Sequence, residues 1–465
     1  MLKTIPLALP ALLLSHSLGA QPSLTVSPPE AVYDAPFEVE LSGVPAHEEV
    51  EIRTLRATED GAVWVTSAAF RADARGTINS AAMPSIAGSY TGLSPHGLLC
   101  SALPEGAGGF AAYSPRLLAD PRLPRSYVPP IGPIPITVEA RIDGKVVASK
   151  TAVRGHAMGV VEQEVATGDG LRGVYFRPAA GRPARTPVIL LNGSGGGVRR
   201  YGAARLASHG HPTFAMALYN YADLTKSLKN IPIERVRDGA RWLAGQTGAA
   251  KVAVMGVSRG SEAAAHAAIA FPEDFSAVIL SVPSHLADGG ALGPDAATGD
   301  SAWTLAGEPL PVTDLGFSFN DPRIAELAKE LPGYNASGMV LSLWGSERLE
   351  AAYGTRFEEI EAPVLVLAGA EDGIWPSWIS AERIRQRLAA AGKGDRVDVR
   401  TYAGAGHSLV AVGFGGPYST YAYNPGLKGY MDFGGTPNGN CDAGFESSRA
   451  IVEFLASLDA PMDRE

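Results

Sequence analysis

A chain of 465 residues is too long for one ordinary hydrophobic core, so two domains are expected. Its composition, 46% hydrophobic with glycine and proline well represented, suits a globular soluble or secreted enzyme. The 39 basic and 48 acidic residues leave a net charge of −9 with no basic stripe, which argues against nucleic acid as a partner.

The chain opens on Met1-Leu2-Lys3-Thr4, an apolar run from Ile5 to Leu14, and small residues up to Ala20. A positive start, a short apolar stretch and small residues near Gly19 or Ala20 are the pattern of a secretory signal peptide over residues 1–20, with a periplasmic or secreted protein as the consequence. That run is too short to span a bilayer, and no other stretch reads as an integral membrane segment. Residues 21–155 then show short runs separated by turns: Ser23–Val26, Phe37–Leu41, Glu49–Arg53, Val63–Thr66 and Ile134–Ala140, with Asp143-Gly144 as a turn signal. Several alternate with period two, which predicts an antiparallel β-sandwich. Cys100 and Cys441 are the only cysteines, with no CxxC metal spacing. A bridge between them and a pair of inert buried thiols are both open, and the thiols are the default.

From residue 160 to 465 the texture changes to strands alternating with helices, the signature of a doubly wound, mostly parallel sheet. Thr186–Leu191 is a buried strand running into Asn192-Gly193-Ser194-Gly195-Gly196-Gly197. A phosphate-binding loop would end in Gly-Lys-Ser/Thr, which is missing, so no nucleotide cofactor is expected. The glycine run instead suits an oxyanion hole, with one backbone amide from Ser194, Gly195 or Gly196 and a second from Arg259. A helix over Pro232–Ala244 carries Val236, Ala240 and Leu243 on one face. Next come the strand Lys251–Met255, the pentapeptide Gly256-Val257-Ser258-Arg259-Gly260 and a helical run from Glu262 to Ala270. A serine at such a strand-to-helix turn is lifted above the sheet at the positive end of a helix, where an acyl carbon can reach it.

Residues 284–360 break the rhythm and read either as a lid or substrate-binding insertion or as a surface embellishment, with aromatics Trp303, Phe317, Phe319, Tyr334 and Trp344. The strand Ala362–Ala368 ends in Gly369-Ala370-Glu371-Asp372-Gly373. A carboxylate there lies beyond the carboxyl end of a parallel strand, and Asp372 is preferred to Glu371 as the shorter, more rigid acid. After the helix Ser377–Leu388 and the strand Arg396–Tyr402 comes Gly404-Ala405-Gly406-His407. Of nine histidines only His407 combines a loop after a strand with third place in the order Ser, Asp, His. Ala443–Leu458 reads as a closing helix. Ser258, Asp372 and His407 are thus the expected nucleophile, orienting acid and general base of an acyl-transfer enzyme. A non-catalytic binding protein is the rival from another class, and the intact triad and glycine loop speak against it. No metal or cofactor is called for, and nothing in the pattern specifies an oligomer.

Several stretches together resemble the acyl-CoA thioesterase / bile acid-CoA:amino acid N-acyltransferase family. They are Ser89-Tyr90-Thr91-Gly92-Leu93-Ser94-Pro95-His96-Gly97-Leu98-Leu99, the loop Gly193–Gly197, Tyr219-Asn220-Tyr221-Ala222-Asp223-Leu224, the Ser258 elbow, Asp372 with Trp375, Gly404–His407, and Phe433-Gly434-Gly435 before a helix. The resemblance spans nearly the whole chain after residue 20. It implies an immunoglobulin-like sandwich on an α/β-hydrolase and cleavage of fatty acyl-CoA thioesters. Amino acid-conjugating members use cysteine where this chain has Ser258, which favours water over an amine as acceptor. Coenzyme A is cytosolic, so an exported form points to carboxylic esters or other thioesters cleaved by the same triad.

Overall fold

The computed structural model describes residues 21–459 apart from 59–60, 109–111, 114, 117–119, 121–127, 287–289, 298, 313–343, 345, 410–420 and 425–428. The leader expected at residues 1–20, and the insertion aromatics Phe317, Phe319 and Tyr334, lie outside the described residues.

Between Ser23 and Gly155 the main strands are β1 (Ser23–Ser27), β2 (Glu38–Ser42), β3 (Glu49–Ala57), β4 (Val63–Arg71), β5 (Ile134–Ile142) and β6 (Lys145–Gly155). β1 and β2 form a three-stranded sheet with Ile78–Asn79. In the facing sheet the order is β6-β5-β3-β4, extended by short strands at its edges. Alternation in the sequence becomes alternation in burial: in β3, Val50 and Ile52 share the buried face and Leu55 lies on the other, and Val50 and Ile52 join Val39, Leu41, Phe70, Ile136 and Val138 in a shared core. β5 and β6 form a hairpin across Asp143-Gly144, whose φ values of 48° and 74° suit the tight turn that only such residues adopt readily. This is an immunoglobulin-like β-sandwich.

Among the described residues the main sheet of the second domain has eight strands: β7 (Val160–Ala166), β8 (Arg172–Pro178), β9 (Val188–Leu191), β10 (Thr213–Ala217), β11 (Val252–Val257), β12 (Phe275–Ser281), β13 (Val364–Gly369) and β14 (Val397–Tyr402). Their spatial order is β7-β8-β10-β9-β11-β12-β13-β14, and β8 alone runs antiparallel to its neighbours. β9, β10, β11 and β13 are buried along their whole length because helices cover both faces. Successive residues therefore enter two different cores. Ile189, Val254, Leu280 and Val366 pack with helices α2 (Glu234–Thr247), α3 (Arg259–Ala270) and α4 (Ser377–Ala390). Leu190, Met255, Ile279 and Leu367 pack with α1 (Arg200–Ser208) and α5 (Pro437–Asp459). Each fully buried Val, Leu or Ile contributes roughly 1.5–3 kcal/mol. Strand order and coverage define the α/β-hydrolase fold.

α5 begins six residues before the closing helix expected from Ala443. Asn438, Gly439 and Asp442 are weak helix formers, but Thr436 caps the first turn by accepting the Gly439 N–H at 3.0 Å and Pro437 starts it. This first turn is also where the two domains meet. Cys100 and Cys441 are joined in a disulfide, with Cα atoms 5.7 Å apart, so the expectation of two inert thiols is corrected. The open alternative of a bridge holds, although nothing in the sequence shows that partners 341 residues apart meet. Beside it, Asn438 Nδ2 donates to Thr91 O (2.9 Å), Ser94 Oγ donates to Asp442 Oδ1 (3.0 Å), and His96 stacks on Phe445 at 3.9 Å. Phe445 and Cys441 belong to the sandwich core, so α5 serves both domains.

A second interdomain contact centres on Asp34 of the sandwich. Its carboxylate meets His209 Nε2 at 2.9 Å, accepts from Ser448 Oγ at 2.6 Å and lies 3.9 Å from Arg205 Nε. Burial pushes this carboxyl upward, but the hydrogen bond and charge of His209, the charge of Arg205 and the Ser448 hydroxyl together hold it at about 2, below its ordinary 3.8. The unfolded chain therefore binds the extra proton between about pH 4 and pH 2. The stabilisation, about 2 kcal/mol, is complete above that window and is lost as pH falls through it. Asp34→Ala is expected to lower unfolding free energy at neutral pH by about 3 kcal/mol, since it strands buried donors. Urea denaturation checks this, and the gap from wild type should narrow as pH drops below about 4.

Candidate active site

Ser258 sits between β11 and α3 with φ 56° and ψ −125°, a backbone that non-glycine residues rarely adopt. Its neighbours make this possible. A Cβ on Gly256 would lie 2.1 Å from Gly260 O, and one on Gly260 would lie 2.5 Å from Asn192 O. The turn is held by Ser258 N–H donating to Ser281 O (2.9 Å) and Ser261 Oγ donating to Ser258 O (2.6 Å).

The structure brings together the three side chains expected from sequence. Ser258 Oγ lies 2.9 Å from His407 Nε2, and His407 Nδ1 lies 2.9 Å and 3.0 Å from the Asp372 carboxylate oxygens. A carboxylate can only accept, so it sets the tautomer with the proton on Nδ1 and leaves Nε2 to accept the serine hydrogen. Asp372 is 1% exposed and Ser258 8%. Asp372 Oδ1 also accepts from the N–H groups of Ile374 (3.0 Å) and Trp375 (3.3 Å), which fixes the acid. The Trp375 ring meets the His407 ring edge-on at 5.1 Å and is itself tied by its indole N–H to Val282 O (3.1 Å).

The acid and histidine loops meet through a segment to which sequence reasoning gave no task. His407 N–H and Gly373 N–H both donate to Phe433 O, at 2.7 and 3.1 Å, and Gly435 N–H donates to Glu371 O at 3.1 Å. The main chains approach so closely that a Cβ on Gly434 would lie 1.8 Å from Glu371 O, and φ there is +76°.

The glycine loop after β9 lies against Ser258: a Cβ on Gly193 would be 2.9 Å from Ser258 Cβ. Three of its carbonyls are held by side chains. Tyr219 Oη donates to Gly193 O (2.9 Å), Asn220 Nδ2 to Gly195 O (3.0 Å) and Asn192 Nδ2 to Gly196 O (2.5 Å). Gly196, expected among the oxyanion donors, spends its N–H on Gly193 O at 3.0 Å, because the loop closes there as a tight turn. Ser194 and Gly195 keep their N–H groups directed to no acceptor among the described residues. Arg259 is the first residue of α3, so its amide lies at the positive end of that helix beside Ser258.

The Arg259 side chain turns away, into the protein. It pairs with Glu262 at 3.3 Å and donates to Gly290 O at 3.0 Å, while Glu262 accepts from the Trp303 indole at 2.9 Å. Gly290 and Trp303 belong to the 284–360 segment, whose described part thus grips α3. Trp344 is likewise tied down, its indole donating to Ser380 Oγ of α4 at 3.1 Å. His266, next to Arg259, is lowered to about 4 by burial and then by that charge, so it is neutral at pH 7. Among the described residues no cluster of His, Cys, Asp or Glu is arranged to hold a metal, and no helix is long and apolar enough to cross a membrane.

An α/β-hydrolase carrying a Ser-His-Asp constellation and a glycine loop is a class of enzyme. Residues 34–166 match the acyl-CoA thioester hydrolase/BAAT N-terminal region, and residues 231–458 match the BAAT / acyl-CoA thioester hydrolase C terminal. The chain belongs to that acyl-CoA thioester hydrolase/BAAT family. It is 26% identical over 433 residues to acyl-coenzyme A thioesterase 1 of Rattus norvegicus, covering 91% of this chain and 93% of that protein. Identity is also 26% over 448 residues to the mitochondrial acyl-coenzyme A thioesterase 2 of Mus musculus, covering 93% and 88%. The peroxisomal succinyl-coenzyme A thioesterase of Mus musculus is 26% identical over 400 residues, covering 83% and 85%. Among solved structures, a putative dienelactone hydrolase from Klebsiella pneumoniae aligns with TM-score 0.38 and 17% identity, covering 64% of this chain and 99% of that one.

Gly434→Ala should push the acid and histidine loops apart. The rate at which a fluorophosphonate labels the folded variant is expected to fall about 10²-fold. Labelling at the wild-type rate would show that the loops tolerate separation.

Proposed function

We propose that this protein is a serine hydrolase that cleaves acyl thioesters of the fatty acyl-CoA type through an acyl-serine intermediate. The observation that carries the reading is the continuous contact from the Asp372 carboxylate through His407 to Ser258 Oγ, beside main-chain amides. Family membership and the thioesterase relatives support the thioester as substrate.

The steps follow from the geometry. Ser258 Oγ attacks the acyl carbon as its proton passes to His407 Nε2. Asp372 stabilises the imidazolium so formed. Negative charge on the acyl oxygen is taken up by the amide of Arg259 and by that of Ser194 or Gly195, a donor of this kind being worth about 10²–10³ in rate. The thiol leaves with the proton from His407. Water, deprotonated by the same imidazole, then attacks the ester and restores Ser258. A serine ester is less prone to aminolysis than a cysteine thioester, so water rather than an amino acid is the acceptor.

A second reading concerns location. The Cys100–Cys441 bridge suits an oxidising compartment, and residues 1–20 have the pattern of a secretory leader. We infer that the protein is exported to the periplasm or beyond. There coenzyme A is scarce, and carboxylic esters or other thioesters become substrates of the same triad.

Ser258→Ala is expected to lower turnover by about 10⁶-fold and abolish fluorophosphonate labelling. More than about a tenth of wild-type activity in that variant would remove Ser258 as nucleophile. A kcat/KM comparison of palmitoyl-CoA with an aryl ester separates the two substrate readings. Products formed with glycine or taurine present report any amine acceptor. Fractionation with N-terminal sequencing checks export, and a cytosolic protein retaining Met1 would overturn it.

A further inference from the structure

Asn440 lies in the first turn of α5, 3% exposed, and no step of the proposed reaction uses it. A buried side-chain amide is costly unless paired, and this one is paired on both ends. Its Oδ1 accepts the Gly406 N–H at 2.7 Å, and its Nδ2 donates to Gly434 O at 3.0 Å. Gly406 immediately precedes His407. Gly434 belongs to the segment that receives His407 N–H on one side and holds the acid loop on the other. One side chain therefore ties the histidine loop to the turn that sets its distance from Asp372.

The turn that carries Asn440 is itself anchored. Asn438, Cys441 and Asp442 surround it in sequence, and all three are fastened to the sandwich, the middle one covalently. Asn440 points the other way, into the catalytic loops. The helix start is thus a rigid bracket with the sandwich on one side and the histidine on the other.

We propose that Asn440 is the positioning residue for His407, and that the sandwich, by fixing the first turn of α5, acts on catalysis through this amide. The inference rests on the serine-hydrolase reading above. Removing the amide leaves the Gly406 N–H and the Gly434 carbonyl without their partner, and the histidine loop loses its register to the acid. The imidazole then samples positions out of reach of Ser258 Oγ, which slows acylation without altering how the substrate is held.

The test is steady-state kinetics of Asn440→Ala, with active sites counted by carrying fluorophosphonate labelling to completion. The expected result is a fall in kcat per labelled site of about 10²-fold, with KM within about twofold of wild type. A residue that only stabilises the fold would reduce the number of labelled sites and leave kcat per site unchanged, and that outcome overturns the proposal. If Asn440→Ala does not fold, Asn440→Asp carries the test: it keeps the acceptor for Gly406, loses the donor to Gly434, and should lose about tenfold in kcat per site. An undiminished kcat per site in Asn440→Asp then overturns the proposal. Ser258→Ala run in parallel separates the two levels. Activity surviving there sinks the serine mechanism itself, whereas an inactive Ser258→Ala beside a fully active Asn440 variant sinks this inference alone.

Discussion

Three stretches of main chain, the acid loop after β13, the histidine loop after β14 and the turn before α5, approach more closely than any side chain would allow. That approach is the constraint on which the site depends. Gly369, Gly373, Gly406, Gly434 and Gly435 all face backbone atoms at distances where no Cβ fits. Absence of side chains lets carbonyls and amides pair directly, as Phe433 O does with both Gly373 and His407. An imidazole held by hydrogen bonds between backbones has few ways to drift. The same logic governs the elbow, where Gly256 and Gly260 flank a serine in a strained conformation. Pre-set geometry of this kind lowers the entropy cost of bringing reacting atoms together.

Much of this was legible in the sequence because it was local. Continuous apolar runs of four to seven residues marked the buried parallel strands, and period-two alternation marked the sandwich. The Ser, Asp and His positions were legible because each falls in a glycine-flanked loop at the end of a strand, and chain order does the rest. The hidden parts depend on pairings over long separations. Nothing near Cys100 points to Cys441, and nothing near Gly406 points to Asn440. The polar residues at the start of α5 fell outside the helix expected from Ala443 because their compensation is tertiary: each one is fastened to something outside the helix. The glycine loop was recognised, but which of its amides remains available depends on a turn closing at Gly196, which composition does not specify.

The two domains are joined by contacts of different chemistry. On one side an ionic cluster around Asp34 crosses the boundary, with His156 stacked on Tyr33 at 4.7 Å and Arg205 reaching His156 at 3.2 Å. Burial, followed by the charge of Arg205, holds His156 well below its ordinary range, so that ring enters the interface uncharged. On the other side the contact is apolar and covalent, with Phe445 and Cys441 sunk in the sandwich core. α5 takes part in both, through Ser448 and through its first turn. A helix packed under the catalytic sheet is thereby shared, and the sandwich is built into the framework of the hydrolase.

The bridge spans 341 residues of chain and encloses Ser258, Asp372, His407 and the whole 284–360 segment within one covalent ring. A single proteolytic cut anywhere on that ring opens it without releasing a fragment. A nicked molecule would keep its full mass until a reducing agent divided it, so the enzyme can survive surface damage that would dismember a linear chain of the same fold.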